Sequence, residues 1–218
     1  MHDAGAPNIL RGRIGLGGPW TVGFFWIAVS MVGAVAAALA AWRVRTLIIG
    51  GPEFLGRNLG YVAKVVEAMV ISGAQWLLLR RYRLPVDWWV PTTVTANLLT
   101  AVVVIPNVLG AILGKAGGPG GPNMSIAVIA GGAALASAGL LVGSAQWLVL
   151  RGLGRRAAFA WIPASVVGGG LAGSATTLIS SHLVGMPAFV FLGVVAAVGA
   201  LLQAAIQAPV LGRLALKT

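Results

Sequence analysis

Apolar residues in this chain fall neither at every second position nor on one face of a 3.6-residue period. They run almost unbroken for stretches of roughly 18 to 26 residues, long enough to cross a hydrocarbon layer about 30 Å thick as helices. Six such stretches are predicted, at about 20–41, 62–79, 88–113, 126–150, 160–184 and 187–209. The breaks between them are chemically distinct. Gly50-Gly51-Pro52 follows the first span and Arg80-Arg81-Tyr82-Arg83-Leu84-Pro85 the second. The Gly/Pro-rich run from Lys115 to Asn123 follows the third, and Arg151-Gly152-Leu153-Gly154-Arg155-Arg156 the fourth. These are turn formers and charges that hydrocarbon excludes. Only His182, Gly185 and Pro187 separate the last two spans, which must therefore form a tight hairpin.

Composition agrees. Of 218 residues 58% are apolar and 9% charged, against about 25% charged in soluble domains, and the mean hydropathy is +0.93. The expected fold class is all-α: a polytopic membrane protein of six transmembrane helices arranged as three tandem helical hairpins. Residues 1–19 are read as an N-tail, 20–211 as the membrane domain and 212–218 as a C-tail. The first span resembles a secretory signal at Ala34-Val35-Ala36 and Ala38-Leu39-Ala40, but it is too long for a signal core and reads as a retained signal anchor. With 0 Cys there is no disulfide framework, cysteine-bound zinc, iron–sulfur cluster or thiolate nucleophile. Two His and four acids leave little for catalysis, so no enzyme activity and no metal site are expected.

Charge changes the picture by orienting the spans. The N-tail, the 2–3 and 4–5 connections and the C-tail carry Arg11, Arg13, Arg80, Arg81, Arg83, Arg151, Arg155, Arg156, Arg213 and Lys217, whereas the opposite side holds Arg43, Arg45, Arg57, Lys64 and Lys115. That bias predicts both termini in the cytoplasm of a bacterial inner membrane. Trp20, Trp76, Trp88, Trp89, Trp147 and Trp161 fall near the same interface. The net charge of +11 is thus a topology and lipid-headgroup signal, with membrane lipids rather than nucleic acid as the partner.

The chain repeats itself. Ala74-Gln75-Trp76-Leu77-Leu78-Leu79-Arg80 returns as Ala145-Gln146-Trp147-Leu148-Val149-Leu150-Arg151. The likeness continues through Trp89-Val90-Pro91 and Trp161-Ile162-Pro163, so that about 70–97 matches 141–169. A faint third copy lies at Gln207-Ala208-Pro209-Val210-Leu211, near 203–211. Three parallel hairpins around an axis along the membrane normal would place Gln75, Gln146 and Gln207 at one depth, meeting near the bundle axis. They form either an interhelical hydrogen-bond clamp or a polar path. Trp76, Trp147, Trp89 and Trp161 with Arg80 and Arg151 are read as interfacial anchors.

This repeated Gln-Trp-Leu-x-Leu-Arg run with its basic turn and Trp-x-Pro resembles uncharacterised bacterial polytopic membrane proteins that carry repeated G-x-x-Q-W-L-x-L-R segments and are frequent among photosynthetic bacteria. The resemblance covers roughly a quarter of the chain and implies a photosynthetic or electron-transfer complex as one setting.

The remaining candidates are few. Glu67 is an acid inside a span, with Lys64 three residues earlier on the same helix face; the two read as an ion pair or as a proton or cation site. Asp87 is placed to cap or to charge the start of the third span. His182 is a candidate axial ligand for haem or (bacterio)chlorophyll, competing with an ordinary boundary histidine. Asn97 and Pro106-Asn107 predict a kink in the third span, and glycines four apart, such as Gly139 and Gly143, predict close helix packing. A rhomboid-like protease is excluded because the sixth span has no His to pair with Ser144. A retinal protein is excluded because neither Lys64 nor Lys115 lies mid-span. The function expected is a non-enzymatic membrane subunit, a scaffold or accessory component alongside other membrane subunits. The alternatives are a small-solute or ion transporter using Gln75, Gln146, Gln207, Asn97 and Glu67, and a pigment- or haem-binding subunit.

Overall fold

The computed structural model describes residues 19–48, 53–82, 84, 86–116, 123–151 and 156–215. These residues hold α1 (Pro19–Ile48), α2 (Glu53–Arg81), α3 (Trp89–Leu99), a π turn (Thr100–Val104), α4 (Ile105–Ala116), α5 (Met124–Leu150), a short 3-10 segment (Arg156–Ala160), α6 (Trp161–His182) and α7 (Ala188–Ala215). Six helical stretches are long and apolar enough to span a membrane, with α3, the π turn and α4 together making one of them, Trp89–Gly114. The basic Gly/Pro loops expected between spans lie partly outside the described residues.

Local chemistry explains the element boundaries. Pro19 opens α1, where its missing N–H costs nothing. Asn123 caps α5 by accepting the Ile126 N–H at 2.9 Å. Asp87 does not cap α3: the N-cap is Trp88, with no side-chain capping bond. The kink expected at Pro106 appears as the π turn just upstream of it. Pro106 can give no hydrogen bond back to the preceding turn, and its ring crowds the carbonyl one turn earlier, so the helix widens there. Asn107 donates to the Val103 carbonyl at 2.6 Å, and Thr100 Oγ1 to that of Ala96 at 2.7 Å.

The helices pack in a ring in chain order: α1 on α2, α2 on α3, α3 and α4 on α5, α5 on α6, α6 on α7, and α7 back on α1. The start of α1 and the end of α7 share one face of the ring, the terminal face. Toward it the ring is filled by apolar side chains such as Leu79, Leu150, Leu211 and Leu214, and the 2–3 connection folds Leu84 and Val86 into the same core. Its other half is less complete: among the described residues α4 packs on α5 but not on α2. The closest contact is α5 with α6. A Cβ added at Gly139 would run into the Ser165 carbonyl, and one at Gly173 into that of Gly131. Only glycine permits this backbone-to-backbone approach.

Candidate functional site

Three tryptophans meet on the ring axis. Trp26, Trp89 and Trp161 are each 0% exposed, and their rings stand edge to face with centroids 5.5 to 6.1 Å apart. Each comes from the first turns of an odd-numbered span. Each is followed four residues later, one turn deeper on the same helix face, by a hydroxyl: Ser30, Thr93 or Ser165.

The three glutamines of the repeated run link these pairs. Gln207 on α7 accepts from Trp26 Nε1 at 3.4 Å and donates to Ser165 Oγ at 3.0 Å. Gln146 on α5 accepts from Trp161 Nε1 at 2.9 Å and donates to Thr93 Oγ1 at 3.3 Å. Gln75 on α2 donates to Ser30 Oγ at 3.2 Å. Every amide therefore reaches a hydroxyl or indole on another helix, and the links run round the ring with approximate threefold symmetry. One link is missing: Trp89 Nε1, whose counterpart acceptor is the Gln75 carbonyl, is buried with no protein partner among the described residues.

On the side of this layer away from the terminal face lies a cavity of ≈ 410 Å³ lined by residues from all six spans. It runs from Gln207 to Val195 along α7, about 18 Å at helical rise. Gln75, Gln146, Gln207 and Asn97 line its floor and upper wall, together with Ser30, Thr93 and Thr100; alanines and glycines make up much of the rest. Lys64 and Glu67 border it at the other end, joined at 2.7 Å, with side chains 45% and 33% exposed. The cavity is blind toward the terminal face, where the tryptophan trio and the leucines beyond it fill the axis.

All six residues expected to form a polar cluster, Gln75, Gln146, Gln207, Asn97, Glu67 and Lys64, thus line one cavity. Gln207, from the faintest repeat copy, occupies the third equivalent place. Trp76 and Trp147 sit at the ends of their helices under the guanidinium groups of Arg80 and Arg151, 5.0 and 5.8 Å from the ring centroids. Trp89 and Trp161 instead lie in the bundle interior. Their burial is won by the three-ring packing, which outweighs the usual preference of tryptophan for headgroup depth. His182 ends α6 on an exposed turn and does not line the cavity. Among the described residues no group of three His, Asp or Glu could hold a metal ion. Sequence reasoning missed Trp26, Ser30 and Gln203, all at or beside the cavity floor. The available signal was Trp26 with Ser30 at the spacing of Trp89 with Thr93 and Trp161 with Ser165.

Fold and site together define a polytopic α-helical integral membrane protein with a blind, mostly apolar cavity whose polar floor lies on a pseudo-threefold axis. No family model, curated protein or solved structure matches the chain.

Proposed function

We propose that this integral membrane protein binds a small uncharged, hydrogen-bonding solute in its central cavity, as a carrier closed toward the terminal face. The observation that carries the reading is the cavity floor: three amides at one depth, each with one N–H given to a protein hydroxyl and, among the described residues, no protein acceptor for the other. Bundles that serve only as scaffolds have no need of a lined space of this size, which falls in the range of small-molecule sites. The tryptophan trio is then the gate, since passage requires those rings to part. Parallel repeats of this kind occur in transporters. The accessory-subunit expectation rests on the scarcity of catalytic groups and the dominance of packing and interfacial residues, and it leaves the cavity without a role. The proposed setting is a bacterial inner membrane with both termini in the cytoplasm, supported by the bias of basic residues toward that face.

The test is thermal unfolding of the purified protein against a panel of neutral polyols and amides, with and without alkyl chains, alongside Gln146→Leu. Stabilisation by at least one compound in the parent and its loss in the variant is expected. No stabilisation by any member of the panel would overturn the reading.

A further inference from the structure

The cavity is bounded unevenly. On the terminal side every helix touches both neighbours, but on the other side α2 packs on α1 and α4 packs on α5, with no contact between α2 and α4 among the described residues. The π turn lies where α3 still touches α2, and α4 continues from it along α5 alone. The cavity reaches this seam from within: Lys64 and Glu67 on α2 line it on one side, and Ala101 and Ile105, at the π turn and the start of α4, on the other.

Depth decides what the seam meets. Glu67 lies six residues inside the Tyr61 end of its span, about 9 Å, and Ile105 nine residues inside the Gly114 end, about 14 Å. Both positions fall within the hydrocarbon layer, so the seam opens sideways into lipid. The floor that lies behind it carries amides and hydroxyls but no net charge. Among the described residues the only ionisable ones lining the cavity, Lys64 and Glu67, neutralise one another at 2.7 Å. A charged head group would lose its hydration there without a counter-charge, whereas an uncharged head with donors and acceptors finds partners in Gln75, Gln146 and Gln207.

We propose, building on the solute-binding reading, that the occupant is a single-chain amphiphile that enters from the bilayer between α2 and α4. Its uncharged hydrogen-bonding head rests on the glutamine floor, and its apolar tail leaves through the seam.

Because the chain has 0 Cys, a single cysteine reports access cleanly. Ala138→Cys places a thiol on the α5 wall of the cavity, and Ala101→Cys provides an independent position should the first variant unfold. In proteoliposomes of phosphatidylcholine, labelling is timed with a bilayer-soluble N-alkyl maleimide and with a charged, membrane-impermeant methanethiosulfonate added to both sides. Monoolein and glycerol, the same head with and without a tail, serve as the competing probes. The expected result is labelling at least tenfold faster by the bilayer-soluble reagent, slowed severalfold by monoolein and not by glycerol, and slowed again when Ile105→Trp fills the seam. Fast labelling by the charged reagent with protection by glycerol would overturn lateral access while leaving the solute-binding reading standing. Labelling that neither monoolein nor glycerol alters would overturn both.

Discussion

Replacing each member of the tryptophan trio by phenylalanine separates the hydrogen-bond circuit from the packing that surrounds it. Trp26, Trp89 and Trp161 are equally buried and packed edge to face on one another, so the volume lost is the same at each site and largely cancels in the comparison. What differs is the indole N–H. Trp161→Phe strands the Gln146 carbonyl that accepts from it at 2.9 Å, while Trp26→Phe removes a longer bond of 3.4 Å. Trp89→Phe removes a buried N–H that has no protein acceptor among the described residues. A hydrogen bond between membrane helices averages about 0.6 kcal/mol, and a buried polar group left unmatched costs about 1–3 kcal/mol. Trp161→Phe should therefore be less stable than Trp89→Phe by at least about 1.4 kcal/mol, roughly tenfold in the unfolding equilibrium, with Trp26→Phe between them. Steric trapping in bicelles reads the difference directly. If Trp89→Phe proves as costly as Trp161→Phe, the asymmetry of the circuit is wrong.

Three further outcomes follow from the packing and the charges. Gly173→Ala pushes a Cβ into the Gly131 carbonyl and should sharply reduce the folded fraction in detergent. Gly110→Ala, with nothing within 4 Å of the new Cβ, should be neutral or slightly stabilising, by about 0.5–1 kcal/mol. Lys64→Met leaves the Glu67 carboxylate unpaired within its span and should lower membrane yield. Lys64→Met with Glu67→Met removes both charges of a partly exposed pair and should stay within about 1 kcal/mol of the parent, as checked by expression and melting temperature. A reporter enzyme fused after Thr218 should show cytoplasmic activity, and one placed in the α6–α7 turn near Gly185 should show the opposite location.

The spans were legible because hydrocarbon imposes one requirement on every residue within it, and runs of 20 apolar residues meet that requirement in few other ways. The glutamines were legible because an amide in such a run is conspicuous and its recurrence fixes a common depth. Trp26 was not. Its helix carries no basic turn before it and Ala28 stands where the other copies have Pro91 and Pro163. In a run as apolar as α1, a tryptophan that faces the axis looks the same as one that faces lipid. Asp87 had the chemistry of a cap but not the position, because the chain enters α3 through Trp88. The seam between α2 and α4 was also hidden: Pro106 announces a kink, but its direction is set by the neighbours against which the helix packs.

The circuit also fixes the order in which the molecule can be completed. The Trp26–Gln207 bond joins residues 181 positions apart, so α1, which precedes the other helices of the ring, receives its last partner only when α7 arrives. Until then the indole of Trp26 and the hydroxyl of Ser165 lack the amide that joins them. An insertion intermediate is thus marked on the inner face of α1 by an indole N–H without its acceptor, which the finished ring covers, while Ser165 keeps its bond to the Trp161 carbonyl within α6.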